Sequence, residues 1–143
     1  MIVAVAADHA GFEYKEKAKE YLKSKGFEVI DFGTNSTNRV DYPDFGHKAA
    51  VAIASGEAER GVIVCGSGVG ISIAANRHKG IRAVDAVNEE MAKLAREHND
   101  ANVLALGERL ISWDEAKKII DVFFATAFEG GRHQTRVEKI DVF

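Results

Sequence analysis

The sequence predicts an α/β fold in which a five-stranded parallel sheet is covered by helices on both faces. Three observations indicate this class. Strand-like and helix-like patterns alternate along the 143 residues. The strand-like runs are short and almost wholly apolar, as strands buried on both faces are. The segments that join them are long enough for right-handed helical crossovers. We therefore expect one doubly wound, Rossmann-like domain over residues 1–143, and 46% hydrophobic with 29% charged residues suits such a packed domain.

The elements follow one another in a regular order. Apolar runs rich in β-branched residues predict strands at Ile2–Ala7, Phe27–Phe32, Gly61–Cys65, Ile81–Val87 and Asn102–Leu106. Amphipathic patterns between them predict helices at Phe12–Lys25, Pro43–Ser55, Val69–His78, Asn88–His98 and Trp113–Glu129. Gly26 is typical of the residue that follows a helix. Pro43 suits a first helical turn, and Ser112 before acidic residues is a typical N-cap.

The order of the strands in the sheet decides where a ligand binds. Ligands of such sheets bind beyond the carboxyl ends of the strands, at a point where the strand order reverses. We expect the order 2-1-3-4-5, which makes the first and third strands neighbours. The loops Asp8–Gly11 and Cys65–Gly70 then flank one crevice. The long polar loop Gly33–Tyr42 is a candidate rim or lid, and Tyr42 and Arg82 are rim positions outside the predicted site.

Composition argues against several classes of partner. The 19 basic and 22 acidic residues give a net charge of −3 without a basic stripe, so nucleic acid is not an expected partner. The opening run Ile2–Ala7 is too short for a membrane span or a signal sequence, so no membrane association is expected. Cys65, the single cysteine, cannot form an internal disulfide, and we expect a cytoplasmic location.

Cys65 ends the third predicted strand and opens the loop Gly66-Ser67-Gly68-Val69-Gly70. This loop is one residue short of the GxGxxG dinucleotide motif and lacks the lysine of a P-loop. Position 71 is Ile, not the arginine that a cysteine-based phosphatase loop requires. A cradle of amides for an oxyanion, next to a thiol, is the role that remains. The alternative for Cys65 is a small apolar residue buried at the end of a strand.

Five motifs occur together in this chain. They are Asp8-His9-Ala10-Gly11, Val40-Asp41-Tyr42-Pro43-Asp44, Cys65-Gly66-Ser67-Gly68-Val69-Gly70, Arg96-Glu97-His98-Asn99-Asp100-Ala101-Asn102 and Gly130-Gly131-Arg132-His133-Gln134-Thr135-Arg136. In this order they closely resemble the type B ribose-5-phosphate isomerase family, which also includes galactose-6-phosphate isomerase subunits. The resemblance covers nearly the whole chain, and the stretch Val84–Glu90 departs from it.

The resemblance implies a cofactor-free aldose–ketose isomerase of the pentose phosphate pathway that acts through an enediolate. It implies Cys65 as the base and His98 in opening the sugar ring. The implied contacts to the sugar phosphate are Asp8, His9, Gly66, Ser67, Gly68, Val69, Gly70 and Asn99, and the implied phosphate ligands are Arg109, Arg132 and Arg136. Alternatives are a six-carbon substrate, such as allose or galactose 6-phosphate, and a sugar-phosphate-binding module without catalysis. No metal is expected, because the five histidines lack ligand spacing such as HxxxH.

His98 ends the fourth predicted helix, just before the fifth strand, so it belongs at the sheet edge opposite Cys65. We therefore expect a homodimer, or a dimer of dimers, in which His98 and Asn99 enter the partner's site. The alternative for His98 is a cation that favours a helix C-terminus. Arg132 and Arg136, four residues apart on a helical turn, face the same way and suit one phosphate. Their alternative is pairing with glutamates on a solvated face.

To act as a base, Cys65 has to lose its proton, and the turn alone stabilises the resulting thiolate too little. A helix N-terminus stabilises negative charge by only about 0.3–1 kcal/mol. We therefore expect a cation near Cys65, and His9 and His98 are the candidates.

Overall fold

A computed structural model describes all 143 residues of the chain. Strands and helices alternate from the N-terminus, and one short helix is added at the C-terminal end. The elements are β1 (Ile2–Ala7), α1 (Phe12–Ser24), β2 (Glu28–Asp31), α2 (Tyr42–Ala54), β3 (Arg60–Cys65), α3 (Val69–Asn76), β4 (Ala83–Asp85), α4 (Glu89–Asn99), β5 (Val103–Gly107), α5 (Trp113–Ala125) and α6 (Arg132–Glu138).

The five strands form one parallel sheet in the order β2-β1-β3-β5-β4. The expected order 2-1-3-4-5 is wrong at one side, because β5 lies between β3 and β4. All five residues of β5 are buried and apolar or glycine, which suits a central strand. The three residues of β4 are only half-buried and end in Asp85, which suits an edge. The predicted neighbours β1 and β3 do pair, from Val3 with Arg60 to Ala7 with Val64.

The two faces of the sheet carry separate apolar cores. Val3, Val5 and Ala7 of β1 face the first, which the buried faces of α1, α4 and α5 cover. Ala4 and Ala6 face the second, under α2 and α3. Successive residues of a strand point to opposite faces, so β1 has to be apolar throughout. The doubly wound fold is therefore confirmed.

Most predicted helix ends are close to those of the structure. Ser112 accepts a hydrogen bond from the amide of Glu115 and forms a capping box with it. Gly26 has φ of +89°, as expected after a helix end. No helix is long and apolar enough to cross a membrane.

The C-terminal region departs most from prediction. The predicted helix to Glu129 ends at Ala125, because the backbone of Thr126 is extended and its hydroxyl donates back to the carbonyl of Val122. Gly130 and Gly131 then adopt positive φ angles and turn the chain into α6. The arginines of α6 therefore belong to a separate helix rather than to a continuation of α5.

Candidate active site

A cavity of about 380 Å³ lies at the carboxyl ends of β1, β3 and β5. This volume is within the range of small-molecule sites. We call it the Cys65 pocket; its lining is Asp8, His9, Ala10, Tyr42, Cys65, Gly66, Ser67, Gly70, Arg109 and Leu110. The first and third loops therefore share one crevice, as the sequence predicts. They do so because β1 and β3 are neighbours.

Cys65 is the last residue of β3, and only 4% of it is exposed. Its sulfur accepts a hydrogen bond from the backbone amide of Gly68, with 3.2 Å between N and Sγ. Gly68 has φ of +78° and caps α3, and a Cβ atom at this position would collide with the carboxylate of Asp85. Glycine is therefore required here, and the turn that it allows holds an N–H donor against the sulfur.

The amides of the Gly-rich loop divide into two groups. Those of Gly66, Ser67 and Gly70 have no acceptor within the chain and can receive an oxyanion. The amide of Val69 bonds the hydroxyl of Ser67, and that of Gly68 bonds the sulfur. Gly68 and Val69 do not line the pocket of the single chain, and the turn directs their amides at the loop itself. Their role as direct contacts to the sugar phosphate stays a prediction.

Asp8 and His9 follow β1 and reach the same pocket. Oδ1 of Asp8 accepts from the amides of Ala10 and Gly11, at 2.9 and 3.1 Å, and so fixes the turn. Nδ1 of His9 lies 3.2 Å from both the amide N and the carbonyl O of Val40. This contact orients the imidazole and ties the polar loop to the pocket rim.

Arg109 provides a cation beside the thiol loop. Its amide donates to the carbonyl of Gly66, at 3.0 Å, and its guanidinium lies against the same residue. No carboxylate pairs with this guanidinium, so it is free for an anion. The cations predicted near Cys65 are His9 and His98, and Arg109 is a further cation next to the loop. Its position directly after β5, a neighbour of β3, is the sequence signal for this placement.

Tyr42, a predicted rim position, lines the pocket itself. It begins α2, and its ring packs against Gly70. Tyr42 ends the polar loop and begins a helix, and this position in the sequence indicates a residue that lines the pocket. Arg82 lies elsewhere and binds the carbonyl and carboxylate of Asp100.

The remaining predicted site residues are not in the Cys65 pocket. We call the region where the end of α4 meets α6 the α4–α6 corner. Its residues are His98, Glu129, Arg132, His133 and Arg136. The rings of His98 and His133 stack, with centroids 4.3 Å apart and planes 14° apart. Both arginines are exposed and have no ion-pair partner, so the expected alternative of pairing with glutamates is not observed.

Asn99 lies beside this corner and lines another cavity, of about 500 Å³. Asp85 and Ile140 line the same cavity. The structure of one chain therefore does not bring Asn99 to Cys65. The topology explains this, because α4 ends at the sheet edge where β5 begins.

The corner is also the one place where three ligating groups gather. Nitrogens of His98 and His133 and an oxygen of Glu129 lie within 4.8 Å of one another. Sequence spacing could not reveal this group, because its members come from two segments that meet only in the fold. The two rings are nearly parallel, so their lone pairs do not converge, and one ring would have to turn to hold an ion.

Two carboxyls behind the Cys65 pocket titrate unusually. Burial raises the pKa of Asp85, whose Oδ1 is buried without a hydrogen-bond partner. Burial also raises the pKa of Glu108, against the opposing effect of the hydrogen bond from the amide of Tyr14. Asp85 ends β4, whereas Glu108 directly follows β5, one of the strands that carry the pocket.

A doubly wound α/β fold with a thiol, unpaired amides and a free guanidinium at its strand ends defines a protein that binds a small anionic molecule. Residues 3–140 match the ribose/galactose isomerase family model, and the chain belongs to this family. Ribose-5-phosphate isomerase B of Escherichia coli strain K12 is 49% identical over 138 residues, which are 96% of this chain and 93% of that relative.

Solved structures agree with this assignment. A ribose-5-phosphate isomerase B from Clostridium thermocellum has a TM-score of 0.98 and 52% identity, and the match covers 99% of this chain and 95% of that one. The Mycoplasma genitalium ribose-5-phosphate isomerase B with bound ribulose-5-phosphate has a TM-score of 0.92 and 42% identity. That match covers 97% of this chain and 93% of the other.

Proposed function

We propose that this chain is an aldose–ketose isomerase that interconverts ribose 5-phosphate and ribulose 5-phosphate without a cofactor. The observation that carries the proposal is the thiol of Cys65 in a pocket with three unpaired amides. The nearly full-length similarity to ribose-5-phosphate isomerases B supports it. All five strands belong to one sheet, so we propose that residues 1–143 form one domain. We also propose a cytoplasmic location.

The pocket suits proton transfer between neighbouring carbons. In this proposal the thiolate of Cys65 removes the proton from C2 of the open-chain aldose. The resulting enediolate oxygen is held by the amides of Gly66, Ser67 and Gly70. The thiol then returns the proton to C1, while the hydroxyl proton passes from O2 to O1. A positioned base contributes about 10²–10⁴ in rate, and one oxyanion donor contributes roughly 10²–10³.

The phosphate needs cations that have no other partner. Arg132 and Arg136 of α6 meet this requirement, and Arg109 meets it inside the pocket. Planar guanidinium groups bind phosphate oxygens in pairs, so two arginines one turn apart suit one phosphate. Asp8, His9 and Asn99 are proposed to bind the sugar hydroxyls.

We propose that the complete site forms between two chains of a homodimer or a dimer of dimers. His98, which opens the sugar ring in this proposal, lies at the sheet edge opposite Cys65, so a partner has to supply it. Large apolar side chains that a partner could cover are exposed near both regions. They are Val69, Ile73, Met91, Leu94 and Ile140, on α3, on α4 and after α6.

The direct test is an isomerase assay in the presence of EDTA. Wild-type protein is expected to convert ribose 5-phosphate faster than allose or galactose 6-phosphate. Cys65→Ala should lose the activity, and Ser55→Ala, a control outside the pocket, should keep it. Faster turnover of a six-carbon sugar phosphate would contradict ribose 5-phosphate as the substrate and identify the six-carbon sugar phosphate instead. Sugar-phosphate binding with no turnover by the wild type would contradict the proposal and favour a binding module.

A further inference from the structure

We propose that His47 and His78 form a surface site for a divalent first-row transition-metal ion that prefers imidazole ligands, such as Ni²⁺. His47 lies on α2 and is exposed, and His78 follows the end of α3. Nδ1 of His47 lies 2.7 Å from Nε2 of His78. The sequence analysis did not single out either residue, since they are 31 positions apart.

The geometry of the two rings suits two neighbouring ligands of one ion. Metal–imidazole bonds are about 2.0–2.1 Å long, so nitrogens bound at right angles lie roughly 2.9 Å apart. The observed separation of 2.7 Å needs only a small opening. The rings meet edge to face, with planes 62° apart, and both are accessible enough to turn about their side-chain bonds. Water molecules would complete the coordination of the ion.

The electrostatic setting keeps both nitrogens available. No carboxylate lies within 4.0 Å of either ring, so no ion pair holds a proton on them. The only polar contact between the two rings is the one that joins Nδ1 of His47 to Nε2 of His78. An ion can therefore take the place of the single hydrogen bond that now joins the rings.

Two other places in the chain compete for metal ions less well. The stacked rings of the α4–α6 corner point their lone pairs in parallel. Cys65 is 4% exposed, and a thiol selects softer ions than Ni²⁺. Ni²⁺ is therefore the probe that best separates the His47–His78 site from the proposed catalytic groups.

A bound ion would join two helices whose N-terminal ends border the Cys65 pocket. Tyr42 begins α2, and Gly70 lies in the first turn of α3. An ion that binds the folded chain and not the unfolded chain stabilises the fold by mass action. We therefore expect Ni²⁺ to raise the unfolding temperature of this protein. The inference is independent of the proposed isomerase activity.

The test is calorimetric titration of the full chain with NiCl₂ at pH 7.5, together with thermal unfolding with and without Ni²⁺. Wild type is expected to bind one Ni²⁺ per chain and to unfold at a higher temperature with it. His47→Ala and His78→Ala should each weaken binding by about ten-fold or more, because one of two linked ligands is lost. Lys48→Ala, a neighbouring control, and His133→Ala should bind as wild type does.

Two results would overturn the inference. One is a wild type without measurable Ni²⁺ binding. The other is binding that His133→Ala removes and His47→Ala leaves intact, which would assign the ion to the α4–α6 corner.

Discussion

The Cys65 pocket and the α4–α6 corner differ in how their polar groups are satisfied. In the pocket, Asp8 accepts two backbone amides, and His9 is tied to Val40. The sulfur of Cys65 also has its own donor. In the corner, Arg132 and Arg136 are exposed and unpaired. The side chains of Asp8, His9 and Cys65 are held in place by their own chain, whereas the two arginines of the corner are held by no ion pair.

This difference suits two separate roles, proton transfer in the pocket and phosphate binding at the corner. Proton transfer and oxyanion stabilisation need fixed geometry, because a displaced donor loses most of its effect. Phosphate binding needs charge more than rigidity, and two arginines on one exposed helix provide it. The proposed site therefore combines a rigid reaction centre from one chain with a cationic corner from another.

Loss of the thiol should have the largest effect. Cys65→Ala is expected to lower kcat by about 10²–10⁴, because the base is removed while the substrate contacts remain. Steady-state kinetics with ribose 5-phosphate measures this, and circular dichroism confirms the fold. A kcat within a factor of a few of the wild-type value would show that Cys65 is not the base. The pocket would then not be the reaction centre that distinguishes it from the corner.

Loss of a corner arginine should act on binding instead. Arg136→Ala is expected to raise KM with little change in kcat, since phosphate contacts bind ground and transition states alike. A hydrogen bond to a charged group contributes about 1.5–3 kcal/mol, which corresponds to roughly 10–150-fold in kcat/KM. Lys139→Ala, just beyond α6, is the matched control. An unchanged KM for Arg136→Ala would remove this residue from the phosphate site.

Packing around the two regions should differ in its tolerance of change. A Cβ atom at Gly11 would collide with the carbonyl of Val64, so Gly11→Ala should lower the free energy of unfolding by about 1–3 kcal/mol. Glu129→Gln, at a half-exposed side chain 3.6 Å from His133, should change it by less than about 0.5 kcal/mol. Urea unfolding measures both, and equal losses would contradict the difference in rigidity.

The smallest effect concerns Glu108, next to Arg109. Because burial raises its pKa, the folded chain holds this proton more tightly than the unfolded chain. Its contribution to stability is full below the unfolded pKa, which is about 4.3, and falls as pH rises through the raised value. Glu108→Gln keeps an acceptor for the amide of Tyr14 and should lack this fall. Parallel stability curves from pH 4 to pH 7 for both proteins would contradict this.

Sequence predicted the fold well where a pattern is local. The apolar runs located all five strands, and the signals at Gly26 and Ser112 located helix ends. The position of β5 between β3 and β4 was missed, because strand order depends on packing between distant segments. The polarity of Asp85, which suits an edge strand, was the available signal.

The candidate site, like the fold, is predictable from the sequence where it depends on local patterns, and not where it depends on contacts between distant segments. Loops that follow neighbouring strands meet, so Asp8, His9 and Cys65 were found together. The contacts of the amides of Gly68 and Val69 depend on the φ angles of one turn, which residue types alone do not determine. The grouping of His98 with Glu129 and His133 needs the break after α5, and the helical pattern did not show this break.

The shared site is the central claim, and mixing two inactive variants tests it most directly. Cys65→Ala and His98→Asn are unfolded, combined in equal amounts and refolded, so that mixed dimers form. Each mixed dimer would hold one intact site, and random pairing predicts recovery of about a quarter of the wild-type activity. No recovery, with mixed dimers demonstrated by mass spectrometry, would show that Cys65 and His98 do not act across the interface.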